Sequence, residues 1–177
     1  MIPTQTAPLT WREKFSYGVA DMGFNFYWTN IATFLLIFYT DVFGISAAAA
    51  ASMMFSVKII NAFTDPMIGA AADRTTTRFG KFRPYLLWVP IPLGCAAILT
   101  YTTPDLSHDG KLVWAYGTYL LMMVCYTCIN IPYNALSGVL SADPQERSTV
   151  NGLRFIFAFA GGTLVTVAEK LIERGAT

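Results

Sequence analysis

Apolar residues along this chain fall into five stretches that are separated by short polar connections. The stretches cover approximately residues 15–39, 46–72, 84–101, 112–140 and 150–168. A helix that crosses a bilayer needs about 20 predominantly apolar residues, and each stretch approaches or exceeds that length. The pattern therefore predicts an all-α membrane protein with five transmembrane helices.

Composition and charge agree with that prediction. The chain is 54% hydrophobic and only 13% charged, whereas soluble domains contain about 25% charged residues. A net charge of +1 provides no basic surface, so no nucleic-acid partner is expected. Cys95, Cys125 and Cys128 all lie in apolar stretches, which argues against a disulfide framework. The expected surroundings of the chain are therefore a lipid bilayer.

Cations are distributed unequally between the two ends of the predicted helices. Seven Lys and Arg residues lie in the connections on one side, and Lys111 is the one cation in the connections on the other. Because short cytoplasmic loops collect Lys and Arg, this asymmetry places the N-terminus in the cytoplasm. The expected location is the cytoplasmic (inner) membrane, which the chain crosses several times.

The connection after the second helix carries a dense group of charges. It serves first of all as a topology anchor, because it holds most of the cytoplasmic cations. Asp73 with Arg74, Arg78 and Lys81 is also predicted to form a conformational latch at the inner end of helices two and three. An Asp73→Asn variant is then expected to shift the balance between the conformation that the latch holds and the one in which it is broken. Unchanged accessibility of cysteines placed in the cavity would contradict the latch.

Polar side chains recur at helical spacing inside three of the predicted spans. The three sets are Asp21, Asn25 and Trp28; Lys58, Asn61 and Asp65; and Thr127, Asn130 and Asn134. Positions three or four apart share one face of a helix. A charge at membrane depth costs about 2.5–3.5 kcal/mol, so we expect these faces to converge on a shared hydrated interior. The alternative is that the polar groups hold neighbouring helices together by hydrogen bonds.

Two prolines lie beside these polar positions, Pro66 directly after Asp65 and Pro132 two residues after Asn130. A proline inside a helix removes one backbone donor and leaves a carbonyl free one turn earlier. Irregular backbone at membrane depth is tolerated where it lines a cavity, which favours a ligand path here. A simple packing kink is the alternative.

Several segments together resemble a known family. They are KFSYGVAD (14–21), FLLIFYTDVFGI, DPMIGAAADRTTTRFGKFRPYLL, the TPDLS loop, NIPYNALSGVL and RFIFAFAGG (154–162), in that order. The chain resembles the N-terminal part of the glycoside–pentoside–hexuronide:cation symporters, the melibiose-carrier group of the major facilitator superfamily. The resemblance covers nearly everything from residue 14 to residue 162.

The resemblance implies two six-helix halves that rock about a central sugar site. This chain would be most of the N-terminal half, with the C-terminal half absent, so it is not expected to transport alone. It also implies import of a sugar or glycoside driven by H⁺ or Na⁺, with no other cofactor and no metal. The alternatives are a truncated, non-transporting membrane remnant and, less favoured because two facing acids are not evident, an intramembrane enzyme.

The resemblance further implies roles for individual positions. Asp65 falls at a cation-site carboxylate, Thr127 at another cation-site position, Asn61 where a second carboxylate is usual and Lys58 where an arginine is usual. The residues assigned to the sugar path are Asn25, Asn130, Asn134, Arg154 and Asp21. In the melibiose carrier Asn25 and Asn130 correspond to sugar-binding acids, Asn134 to a stacking tryptophan and Arg154 to a sugar-binding arginine.

The amide at Asn61 has a consequence for the coupling ion. An amide keeps an oxygen ligand but loses the negative charge, so the predicted cation site retains a single anion, Asp65. A single carboxylate can carry a proton when burial raises its pKa. The sequence therefore predicts coupling to H⁺ instead of Na⁺. Lys58 or Arg154 is expected to be the electrostatic partner of Asp65.

Overall fold

The computed structural model describes residues 9–78, 80–141 and 143–175, and these residues form helices and no strands. The helices are α1 (Trp11–Ile37), which continues into a π-helical turn (Phe38–Val42), α2 (Ala47–Arg74), α3 (Arg83–Trp88), α4 (Pro90–Thr100), α5 (His108–Leu140) and α6 (Pro144–Gly175). The all-α prediction is confirmed.

Side chains next to the helix starts explain where several helices begin. Thr10 and Glu13 form a reciprocal cap at α1, because the Glu13 carboxylate accepts from the Thr10 N–H at 2.8 Å and the Thr10 hydroxyl accepts from the Glu13 N–H at 3.4 Å. The Ser46 hydroxyl accepts from the Ala49 N–H at 3.2 Å at the start of α2. At α6, Asp143 precedes a proline at the first helical position, which needs no N–H partner.

The third apolar stretch, predicted as a single span over residues 84–101, contains an interruption at Val89, where the backbone keeps right-handed helical dihedral angles. Helix α3 ends at Trp88 and α4 begins at Pro90. Pro90 and Pro92 have no N–H, so neither residue can donate to a carbonyl four positions earlier. The chain therefore passes through this region as two short helices of 6 and 11 residues.

Three helices in the described part are long and apolar enough to cross a membrane, judged by length and composition: Ala47–Arg74, His108–Leu140 and Pro144–Leu171. Helix α1 has 27 residues, but Asp21, Asn25 and Asn30 lower its mean hydropathy. Large apolar side chains such as Phe63, Val113 and Phe159 are more than 70% exposed. Such surfaces suit contact with lipid or with another helical bundle.

The chain divides into two compact units. The first contains residues up to 34 and residues from 137 onward, and the second contains residues 35–136. In the second unit, the π-helical turn buries Tyr39 and Phe43. Gly44 follows with φ = 79°, a backbone conformation that glycine adopts without strain, and the chain then enters α2.

In the first unit, α1 and α6 approach each other closely at two glycines. A Cβ atom on Gly161 would lie 2.6 Å from the Met22 carbonyl oxygen, and one on Gly18 would lie 2.5 Å from the Phe157 ring. Small residues let membrane helices come this near. The close crossing positions the polar residues of α1 beside those of α6.

We expect a Gly161→Ala variant to lower the free energy of unfolding by about 1–3 kcal/mol, because the added methyl group would overlap a backbone atom and force the helices apart. Gly162→Ala is the matched control. Its Cβ would meet only the Thr29 hydroxyl oxygen at 3.7 Å, which is an ordinary contact. Thermal unfolding of both purified variants checks this, and equal melting temperatures would contradict the close crossing.

Candidate functional site

A groove runs between α1 and α6 in the first unit and has a volume of about 790 Å³. We call it the α1–α6 groove. Its lining includes Asp21, Asn25 and Thr29 on α1 and Arg154, Gly162 and Thr166 on α6. Small-molecule sites occupy about 300–1,000 Å³, so the groove has the size of a ligand site.

The groove contains an ion pair between Asp21 and Arg154. The Arg154 Nη2 atom donates to Asp21 Oδ1 at 3.1 Å, and both side chains are largely buried. The Arg154 guanidinium also lies 5.5 Å from the centre of the Tyr17 ring, a cation–π distance. Two neighbours on α1 thus hold Arg154 in one orientation at one end of the groove.

Asn25 lies one turn after Asp21 and also lines the groove. Its Nδ2 atom donates to the Asp21 carbonyl oxygen at 3.0 Å. This bond orients the amide and leaves the Asn25 Oδ1 atom as an acceptor for a ligand hydroxyl. The sequence had assigned both Asp21 and Asn25 to a sugar path, and the structure places them together with Arg154.

Sequence reasoning missed part of this lining. On α1 the groove continues to Thr29, whereas the predicted third member of the polar face was Trp28, which is 38% exposed. On α6 it includes Thr163, Thr166 and Lys170. These three residues have the spacing i, i+3 and i+7, which is the same helical spacing that identified the polar faces of the other helices. Lys170, however, lies beyond the predicted end of the fifth apolar stretch.

In the second unit, α2 carries two buried oxygen atoms at helical spacing. Asn61 is 7% exposed. Asn61 Oδ1 and Asp65 Oδ1 are both shielded from solvent, and neither has a hydrogen-bond partner among the described residues. Lys58, three residues before Asn61, is exposed. Buried acceptors are normally paired, so two orphans on one helix face point to a ligand that supplies the missing partner.

Thr127 on α5 is also buried. A Cβ on Gly69 of α2 would lie 3.8 Å from Ile131 of α5, so the two helices touch at that level. Asp65 and Thr127 each precede this contact by one helical turn. The predicted order of membrane crossings gives α2 and α5 the same direction, so Asp65 and Thr127 are expected at a similar depth.

Asn130 and Asn134 bond along α5. The Asn134 Nδ2 atom donates to Asn130 Oδ1 at 2.9 Å and to the Asn130 carbonyl at 3.0 Å. The Asn130 Nδ2 atom lies 3.5 Å from the Tyr126 hydroxyl. Their sugar-binding role stays a prediction.

The residues of the predicted latch lie at and after the end of α2. Asp73 and Arg74 are the last two residues of that helix, and both are exposed. Arg78 and Lys81 follow in the connection to α3. Asp73 belongs to neither of the ion pairs Asp21–Arg154 and Lys14–Glu146. The latch stays a prediction.

A link that sequence reasoning did not foresee joins the start of α1 to the start of α6. The Lys14 Nζ atom lies 2.8 Å from Glu146 Oε1, and the Leu9 N–H donates to Glu146 Oε2 at 2.9 Å. Lys14 and Glu146 both lie at the helix ends that the charge distribution predicts to face the cytoplasm. No sequence signal identifies the pair, because 132 positions separate its members.

Comparison with known proteins gives consistent matches. A family described as MFS/sugar transport protein matches residues 16–173. The chain is 45% identical to the uncharacterized symporter YnaJ of Bacillus subtilis, over 97% of this chain and 37% of the relative. It is 43% identical to the putative glycoside/cation symporter YagG of Escherichia coli, over 93% of this chain and 36% of that protein.

A third relative is the isoprimeverose transporter of Lactiplantibacillus pentosus, 40% identical over 92% of this chain and 34% of the relative. The chain therefore spans about a third of the length of the curated relatives it matches.

Proposed function

This chain belongs to the MFS/sugar transport protein family, and from that premise we propose that it is part of a cation-coupled symporter for a sugar or glycoside. It is a multi-pass membrane protein whose relatives carry the names of symporters and transporters. We propose the cytoplasmic membrane as its location, with the N-terminus in the cytoplasm. A second helical bundle would supply the opposite wall of the substrate path.

One observation carries the coupling part of this proposal. Asn61 Oδ1 and Asp65 Oδ1 are buried acceptors without a hydrogen-bond partner among the described residues. An unpaired buried polar group costs about 1–3 kcal/mol, and at membrane depth such groups mark ion and proton pathways. A bound proton or cation would supply the missing partner, and Thr127 lies at a similar depth to add a hydroxyl oxygen.

We propose H⁺ as the coupling ion. The pair contains one carboxylate, so binding one proton at Asp65 neutralises it without leaving a charge. Na⁺ would need several oxygen ligands, of which the described part of the chain offers the Asn61 amide, the Asp65 carboxylate and the Thr127 hydroxyl. Lys58 is proposed to tune this site through its charge.

We propose the α1–α6 groove as part of the sugar path. Asn25 presents an acceptor there, and the guanidinium of Arg154 presents donors that can reach sugar hydroxyls. Asp21 neutralises Arg154 across 3.1 Å. We assign Asp21 no acid–base role, because its carboxylate is committed to that guanidinium. This supports transport over intramembrane catalysis.

The test is uptake of labelled sugars into proteoliposomes that contain the complete transporter with this chain, at a clamped membrane potential. We expect an imposed pH gradient to drive accumulation equally well with and without Na⁺. A strict requirement for Na⁺ would remove the proton assignment. Failure to accumulate a panel of glycosides under either ion gradient would remove the symport proposal.

A further inference from the structure

One side of α2 exposes a row of large apolar side chains. Phe55, Ile59, Phe63 and Met67 follow one another at intervals of four residues and are 47–72% exposed. Lys58 lies beside this row, three residues after Phe55, and is also exposed. Residues three or four apart share one side of a helix. We call these five residues the Lys58 face.

Lys58 lies deep in a helix that is long and apolar enough to cross a membrane. Helix α2 has 28 residues, a length of about 42 Å, whereas the hydrocarbon core is about 30 Å thick. Lys58 comes 11 residues after Ala47, a rise of about 16 Å. When α2 is centred on the core, the Lys58 backbone lies about 10 Å inside the nearer boundary. That depth exceeds the reach of a lysine side chain, so the ammonium cannot extend to the headgroups.

Lipid alone does not suit this face. Hydrocarbon tails would cover the apolar row, but a charged group at this depth is costly and normally faces protein or a hydrated cavity. Lys58 belongs to neither of the ion pairs formed by Asp21 and by Lys14. Asp65 lies seven residues further along the same helix, about 10 Å away, and helical side chains extend toward the helix start. A direct contact between Lys58 and Asp65 is therefore not expected.

A helix from a second bundle suits both the apolar row and the charge. The chain spans 34–37% of the length of the three relatives, so most of each relative lies outside the matched part. A membrane helix from that remainder would cover Phe55, Phe63 and Met67. An entirely apolar helix would bury the Lys58 ammonium without a partner, which is costly. The charge therefore requires an acidic side chain on the helix that covers this face.

We propose that the Lys58 face docks a transmembrane helix of the second bundle, and that an Asp or Glu on this helix pairs with Lys58 inside the membrane. The inference rests on the proposed function, which supplies the second bundle. It adds where that bundle meets α2 and which charge it must carry there. Because the two bundles move against each other during transport, the pair holds in one conformation and breaks in another.

The first experiment identifies what covers the face. The photoreactive residue benzoylphenylalanine replaces Phe63 in the complete transporter with this chain, in membranes, and mass spectrometry identifies the adducts after illumination. We expect a peptide from the second bundle with an Asp or Glu at the depth of Lys58. The same label at Trp88 of α3 is the control, because this side chain is aromatic and 68% exposed but lies outside the face. We expect a clearly lower yield of second-bundle adducts from Trp88.

Several results of this labelling would overturn the inference. Adducts with lipid alone would show that hydrocarbon covers the face, and adducts that join two copies of the chain would show a homo-oligomer. A second-bundle helix without a carboxylate would remove the ion pair. Equal yields of second-bundle adducts from Phe63 and Trp88 would remove the assignment of the interface to this face.

The second experiment tests the charge by thermal unfolding of the purified complete transporter. Methionine has an unbranched side chain like that of lysine, but no charge. If Lys58 were unpaired at this depth, Lys58→Met would remove a costly charge and raise the melting temperature. If it is paired, the same change leaves the carboxylate alone. We expect Lys58→Met to lower the melting temperature by about 3 °C or more, and an increase would overturn the inference.

Neutralising the partner carboxylate in the Lys58→Met variant should return the melting temperature to within about 1 °C of the wild type, because an ion pair replaced by uncharged groups is often neutral in stability. Ile59→Met is the matched control. It places methionine at the neighbouring exposed position without removing a charge, and it should change the melting temperature by less than about 1 °C. If neutralising each carboxylate of the second bundle in turn never restores stability, the inference fails.

These results are separable from the symport proposal. If the wild type accumulates glycosides while the label at Phe63 marks only lipid, the symport proposal stands and the inference fails. If the labelling and the melting temperatures agree with the ion pair but no glycoside accumulates, the symport proposal fails and the docking surface stands.

Discussion

Replacing Asp65 with Asn is expected to abolish accumulation of the sugar while leaving exchange across the membrane intact. The carboxylate is the ionisable member of the buried α2 oxygen pair, and an amide cannot gain or lose a proton near neutral pH. One pH unit of gradient corresponds to about tenfold accumulation for one coupled proton. We therefore expect the ratio of internal to external sugar to fall from about tenfold to about one.

The measurement compares uphill uptake with equilibrium exchange in the same proteoliposomes, under an imposed gradient of about one pH unit. Asp65→Glu keeps the titratable group and should retain part of the accumulation. Asp105→Asn is the control, because this acid is exposed and lies in the connection between α4 and α5. Undiminished accumulation in Asp65→Asn would show that coupling lies elsewhere.

Breaking the Asp21–Arg154 pair is expected to have the second large effect. Removing one partner of a buried ion pair leaves the other charge unpaired, which costs about 3–5 kcal/mol. The Asp21 and Arg154 side chains are 11% and 19% exposed to solvent. Because water partly solvates the charge that remains, the loss of stability is smaller. We expect Asp21→Asn and Arg154→Gln each to lower the free energy of unfolding by about 2–3 kcal/mol.

A double-mutant cycle tests the pairing itself. The Asp21→Asn/Arg154→Gln double variant removes both charges and should recover at least about 1 kcal/mol relative to the sum of the single changes. Thermal unfolding of the purified variants measures their stability. Sugar binding to the same variants measures whether the groove still accepts its ligand. Additive effects within about 0.5 kcal/mol would contradict a direct interaction between the two residues.

The third apolar stretch shows what hydropathy detects and what it does not. Hydropathy alone predicts one helix over residues 84–101, because hydropathy depends only on the apolar content of the stretch. The structure divides the stretch between Trp88 and Pro90. The prolines at 90 and 92 were visible in the sequence, and their missing N–H groups are the physical reason for the division.

Part of the candidate site was predictable from the sequence, and part was not. Asp21, Asn25, Asn61 and Asp65 stand out because polar residues are costly at membrane depth. Thr163 and Thr166 do not, since a threonine in a membrane helix can bond to its own backbone, as Thr166 does with Gly162. Their part in the groove depends on which neighbour α6 meets.

By itself, the sequence determined that this protein is a set of membrane helices and which side chains are too polar to face lipid. Those properties follow from the local cost of burying each residue, which depends little on distant parts of the chain. Only the tertiary structure decided that Arg154 pairs with Asp21, 133 positions away. The sequence had offered Arg154 as an electrostatic partner of Asp65. The reason is the close crossing of α1 and α6 at Gly18 and Gly161, which sets the partner by proximity.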